Sequence, residues 1–161
     1  MIVYFDMDRV LCDFATQAEK YKALKKNQRV NWMKVFLIGA KFWSEMNFFP
    51  GADKYFPLIY DYCKQKQVKV NILSSVRLAS GFRGKLKWCR EKLNLDSKDI
   101  ILVKDAEMKA SFAKYGALLI DDNSDNIKSF IAAGGKGYKF SLWNKETYET
   151  ILKEIDLLCN R

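Results

Sequence analysis

YFDMDRVLCDF, residues 4–14, continues an apolar run that starts at Ile2 and breaks it with three aspartates, Asp6, Asp8 and Asp13. The run from Ile2 to Phe5 is short, β-branched and aromatic, which predicts a buried strand over residues 1–6. Carboxylates crowded at the end of a buried strand are costly unless a partner compensates them. The rest of the chain must supply that partner.

Working outward, the same strand pattern recurs. VKVNILSS (68–75) ends in Ser74 and Ser75, DIILVK (99–104) follows, ALLIDD (117–122) ends in Asp121 and Asp122, and KGYKFS (136–141) is a short fifth. Helical spacing separates them over 52–66, 84–95, 125–135 and 145–160. The third of these helices has Ser124 or Asp125 as its cap and stops at Gly134–Gly135. Strands alternating with helices predict an α/β fold with a mainly parallel sheet and right-handed crossovers. In such sheets ligands bind beyond the carboxyl ends of the strands. Asp6, Asp8, Ser74, Ser75, Asp121 and Asp122 all belong to that edge.

The interval between the first two strands is too long for one crossover helix. Residues 14–49 are helical in tendency and rich in aromatics, and PGA follows as a helix-start signal. The reading is a small helical cap (14–49) inserted after the first strand into a core formed by 1–13 and 50–161. The aromatics of the cap either pack as ordinary core or form a lid that stacks a planar base.

Composition narrows the chemistry. The chain has 161 residues, 49% hydrophobic, with a net charge of +9. That suits one domain and favours anionic partners. Histidine is absent, which excludes Ser-His-Asp and Cys-His catalysis. The four cysteines form no CxxC pair, so a zinc site or disulfide framework is not expected. No apolar run approaches the about 18 residues of a membrane span, and no basic leader precedes the first strand. A cytoplasmic protein with no membrane partner is expected; its oligomeric state is left open.

Two pairs of carboxylates held close need a cation to stay ionised. Oxygen ligands without His or Cys suit Mg²⁺, which takes one or two carboxylates, waters and a substrate phosphate. Strand-end serine hydroxyls and a lysine would complete a site for a phosphoryl group.

DMDRVLCDF, ILSS, KLKW and LLIDDNSDN resemble, in order, the four motifs of the haloacid dehalogenase-like (HAD) phosphatases. More narrowly, FDMDxVLxDF, FW…FFPGA, KxxW and LLIDDxxDN resemble the 5'(3')-deoxyribonucleotidases. The resemblance spans nearly the whole chain and implies a Rossmann-like three-layer sandwich. It implies that Asp6 is the nucleophile of an aspartyl-phosphate step and Asp8 the general acid and then base. It also implies that Ser74, helped by Ser75, binds phosphoryl oxygens and that Lys85 neutralises phosphate and nucleophile, with Lys104 and Lys109 as rivals. Asp6, the main-chain carbonyl of Asp8, Asp121 and Asp122 would hold Mg²⁺. Asp13 is read as structural support, and Asp125 either joins the fourth motif or caps a helix.

Arg9 stands where family members usually carry a small residue. It either adds a phosphate contact, points away, or marks a catalytically impaired, nucleotide- or nucleic-acid-binding version. The resemblance favours a small phosphomonoester, a deoxynucleoside 5'-monophosphate, whose base meets Phe14, Phe42, Trp43 or Phe49. Arg77 and Arg83 are read on a loop (74–85) near the phosphate side and either hold further phosphates or are solvated. The competing enzymatic reading is a phosphatase of polynucleotide ends.

Overall fold

The computed structural model describes residues 1–159. Five strands, β1 (Ile2–Phe5), β2 (Lys69–Ser75), β3 (Ile100–Val103), β4 (Ala117–Asp121) and β5 (Lys136–Lys139), form one sheet in the order β3-β2-β1-β4-β5. Every neighbouring pair is parallel. The chain builds outward from β1 through β2 to β3, then returns to the other side of β1 for β4 and β5. That reversal makes the β1/β4 boundary the switch point, where a crevice opens at the carboxyl edge.

Alternate residues of each strand face opposite layers. Val3, Phe5, Ile72 and Ile120 point into a large core covered by α4 (Ala52–Gln65), α5 (Ala79–Lys92) and α7 (Lys145–Cys159). Tyr4, Leu73 and Leu119 face a smaller cluster beneath α6 (Ser124–Ala132) and a 3₁₀ segment, Ala106–Phe112. The result is the parallel α/β sheet expected from the alternation, in the three-layer sandwich that the resemblance implied.

Between β1 and α4 lie α1 (Phe14–Lys20), α2 (Trp32–Ile38) and α3 (Ala40–Ser44). Asp13 caps α1: its carboxylate accepts from the Thr16 amide at 3.1 Å and the Thr16 hydroxyl at 2.7 Å. Asn31 caps α2 in the same way. A bridge between Leu24 and Val30 closes the loop that joins α1 to α2.

Two sequence readings change. Helix α5 begins at Ala79, not at Gly84, so Arg83 sits on a helix. The sequence pattern hides this because Gly81 reads as a loop residue and Gly84 as a helix start. Both face α3 instead: a Cβ on Gly84 would collide with the Ala40 carbonyl oxygen and the Cβ of Trp43. Their absent side chains let α3 lie against α5. Second, α6 is capped by Asn123, whose side chain accepts from the amides of Asp125 and Asn126.

Candidate active site

The carboxyl edge of β1 carries the first two carboxylates. The Asp6 amide donates to Ile120 O at 2.9 Å, extending the β1–β4 ladder by one step. Asp6 and Asp121 are thereby side by side at the switch point, and both are buried. Carboxylate oxygens of Asp6, Asp121 and Asp122 all lie within 4.8 Å of one another. After Asp6 the chain turns sharply: the amides of Leu11 and Cys12 both donate to Met7 O at 2.9 Å. The Trp143 indole fixes this loop by donating to Val10 O at 2.6 Å.

Two buried lysines complete the charge pattern. Lys109, from the 3₁₀ segment after β3, places Nζ 2.8 Å from Asp6 Oδ1 and 2.7 Å from Asp121 Oδ2. Lys85, on α5, donates to Asp8 Oδ2 at 2.6 Å, Ser74 Oγ at 2.9 Å and Ser75 O at 3.0 Å. Burial disfavours the charged form of both, but the facing carboxylates outweigh it: Asp8 and Asp6 for Lys85, Asp6 and Asp121 for Lys109. Both ammonium groups are held above their ordinary value. Burial, then repulsion from Asp6, pushes the Asp121 carboxyl up, against the pull of Lys109 and the Asn123 amide. Asp122 is pushed up to about 6, first by burial and then by Asp6 and Asp121.

The two lysines divide between the aspartates. The lysine that touches Asp6 is Lys109, while Lys85 serves Asp8 and Ser74. Lys104 is exposed and takes part in neither arrangement. The site also contains Asn126, the last residue of LLIDDxxDN, to which the sequence reading gave no role. Asn126 Nδ2 donates to Asp121 Oδ2 at 3.0 Å, and the Asn123 amide donates to Asp121 Oδ1 at 2.8 Å. The spacing of Asn123 and Asn126 after Asp121, across the first turn of α6, was the available clue. Asp125 is exposed, with its carboxylate 3.9 Å from Lys128, away from the cluster. The Asp8 carboxylate is not one of the clustered oxygens; it pairs with Lys85.

Arg9 has φ +61°, a left-handed conformation that a small residue or glycine adopts more readily. Its side chain is 63% exposed, with Nη1 3.9 Å from Asp122 Oδ2. The loop therefore accommodates the arginine by turning it outward over the carboxylate cluster.

The aromatic candidates separate. Phe42 is fully buried and Trp43 is 3% exposed, so neither offers a face to a ligand. Trp43 instead lies under the Lys85 ammonium, 5.1 Å from its ring centroid, with its indole N–H unpartnered. Phe49 packs against Phe140, and its amide ties to Leu11 O at 2.9 Å, which makes it a support of the first loop. Phe14 is half-buried and touches Trp32, Phe42 and Trp43. Trp32 stays accessible.

The donor set of the cluster is oxygen only, and its carboxylates are crowded enough that two of them are hard to ionise. That fits a small hard divalent cation such as Mg²⁺. Cys12, Cys63 and Cys89 are buried free thiols, and burial pushes Cys63 and Cys89 up to about 12. No helix among the described residues is long and apolar enough to cross a membrane.

No protein-family model matches the chain, and no curated protein matches it significantly. Solved structures do. A HAD-superfamily hydrolase from Ehrlichia chaffeensis is similar with a TM-score of 0.56 at 16% identity, over 98% of this chain and 96% of that one. The HAD domain of the effector protein Lem4 from Legionella pneumophila is similar with a TM-score of 0.52 at 14% identity, over 98% of this chain and 94% of that one. The chain thus shares the α/β fold of these two proteins over essentially its whole length.

Proposed function

We propose that the protein is a Mg²⁺-dependent phosphomonoesterase that hydrolyses deoxynucleoside or nucleoside 5'-monophosphates through an aspartyl-phosphate. The observation that carries this reading is the pairing of the Asp6/Asp121/Asp122 cluster with two buried lysines, each hydrogen-bonded to a different aspartate of the first motif. The fold neighbours, being HAD proteins, are consistent with it.

Asp6 attacks phosphorus, and the P–O bond to the sugar breaks. Lys109 holds the attacking carboxylate in place and limits its repulsion from Asp121. Asp8 gives a proton to the leaving alkoxide, then takes one from the water that attacks the aspartyl-phosphate, releasing inorganic phosphate and restoring Asp6. The Lys85 ammonium and the Ser74 hydroxyl bind non-bridging phosphoryl oxygens. An arriving phosphate competes with Asp8 for Lys85, which leaves Asp8 free to carry its proton. Asp6, the Asp8 carbonyl, Asp121 and Asp122 would hold Mg²⁺, which would supply charge neutralisation for the phosphoryl group. Phe14 and Trp32 are the cap aromatics left to meet the base.

The test is phosphate release from a panel of nucleoside monophosphates with Mg²⁺, beside a generic sugar phosphate. Faster cleavage of nucleotides supports the reading, and Asp6→Asn abolishes it. Equal rates on the sugar phosphate overturn the substrate class. No turnover by well-folded protein overturns the enzyme.

A further inference from the structure

Beyond the carboxylate cluster, the carboxyl edge continues into a groove of about 570 Å³ past β2 and β3. The Val76 amide donates to Val103 O at 2.8 Å, so the groove starts one residue after Ser75, whose carbonyl binds Lys85. Arg77, Arg83 and Lys104 line it, with Leu78 and Phe82 between them and no carboxylate in its wall. None of the three cations makes an ion pair among the described residues. Phe82 is 49% exposed, an unusual setting for a large aromatic.

The cap extends this surface. The Arg77 guanidinium lies over Trp32, 5.6 Å from its ring centroid, joining the groove to the start of α2. Residues 20–41 contain seven lysines and arginines and no acidic residue. Lys22, Lys25, Lys26 and Arg29 are exposed on the loop that the Leu24–Val30 bridge closes, and that loop runs directly into Asn31 and Trp32. Phe36, one turn further along α2, is 58% exposed. Cations alternating with exposed aromatic faces are what a flexible, base-bearing polyanion binds: the cations follow its phosphates and the rings stack its bases.

We propose that this groove and the basic cap loop bind a single-stranded nucleic acid whose terminal phosphate enters the Asp6 site. The proposal rests on the phosphomonoesterase reading and extends it: the mononucleotide becomes the minimal substrate and a strand end the preferred one. The +9 charge, concentrated on the cap, then steers a polyanion to the mouth of the site. An anionic bilayer is the competing occupant, because Met33 and Leu37 are also exposed on α2. The concave, cation-lined groove beside a phosphate site favours the strand.

Two measurements test it. In the first, kcat/KM for phosphate release is compared between a 5'-phosphorylated single-stranded oligonucleotide and the matching nucleoside 5'-monophosphate. The oligonucleotide should be the better substrate at low salt, and Arg83→Ala/Lys104→Ala should lower its kcat/KM about tenfold more than that of the mononucleotide, through KM. Equal substrates, or an equal effect of the double variant on both, overturn the proposal and leave the phosphomonoesterase reading standing.

The second measurement needs no turnover. Fluorescence anisotropy of a labelled single strand should show binding that weakens about twentyfold from 50 to 200 mM salt for three phosphate contacts, and that is reduced in the double variant. Salt-insensitive or absent binding, or binding to vesicles rich in anionic lipid without binding to the strand, overturns the proposal. If no phosphomonoester is cleaved, the phosphomonoesterase reading falls, and this binding measurement alone decides whether the surface holds a strand.

Discussion

Asp122→Asn should make the metal-free protein more stable at neutral pH. Asp122 is three-quarters buried beside Asp6 and Asp121, and its carboxyl is pushed from 3.8 to about 6. The folded state therefore holds this proton over a pH range in which the unfolded chain has lost it. Stability then falls as pH rises from about 4 to about 6, and the full cost is present above that window. At about 1.4 kcal/mol per pH unit, the cost is about 3 kcal/mol before solvent screening. Partial exposure reduces the effect expected on substitution to about 2 kcal/mol. Asparagine keeps the shape and removes the charge. Urea unfolding in EDTA should show the variant more stable than wild type by this amount at pH 7, and nearly equal to it at pH 4. With saturating Mg²⁺ the difference should shrink or reverse, since the cation supplies the compensation the charge lacks. A variant no more stable at pH 7, or equally stabilised at both pH values, refutes the picture of a carboxylate cluster strained by its own charge.

Three further substitutions probe the same site. Lys109→Met leaves Asp6 and Asp121 buried without their shared ammonium; unfolding in EDTA at pH 7 should show a loss of about 3–5 kcal/mol, partly recovered by Mg²⁺. Trp43→Leu removes the ring beneath Lys85, a contact worth about 2 kcal/mol when desolvated, so its phosphate-release kcat should fall well below that of Trp43→Phe, which keeps an aromatic face; equal rates would detach Trp43 from the lysine. Arg9→Gly relieves a left-handed backbone and should hold or raise the Tm by an amount equivalent to about 1 kcal/mol, while steady-state kinetics should show a higher KM with kcat little changed if the exposed guanidinium helps recruit an anion.

The sheet was legible because each strand carries its own local signature. The apolar runs of β1, β2 and β4 end in Asp or Ser and proved to be the three central strands, and parallelism follows from the alternation with helices; the strand order β3-β2-β1-β4-β5 is visible only in the folded chain. The start of α5 was not legible for a physical reason. Gly81 looks like a loop residue and Gly84 like a helix start in one dimension, and their purpose, admitting Trp43 and Ala40 of α3, exists only in the packed molecule. The aromatics of residues 14–49 were visible as a group, but a sequence does not distinguish a ring that packs from one that faces solvent. Phe42 and Trp43 turned inward, and Trp32 and Phe36 did not.

The lysines show where linear reading ends. Lys85, Lys104 and Lys109 are equivalent by residue type, and KLKW drew attention to the first. Their roles are set by which element returns to the switch point. Helix α5 leaves β2 and brings Lys85 back over the end of that strand, so it meets Ser74 and the nearer face of the first loop, where Asp8 stands. The 3₁₀ segment leaves β3 at the sheet edge and must cross beneath β2 and β1 to enter β4. That crossing carries Lys109 to the β1/β4 boundary, between Asp6 and Asp121, and leaves Lys104 at the rim in the basic groove. One lysine each for Asp6 and Asp8 follows from the strand order β3-β2-β1-β4-β5. The charge balance of YFDMDRVLCDF, with Arg9 turned outward above it, is thus a property of the topology as much as of the motif.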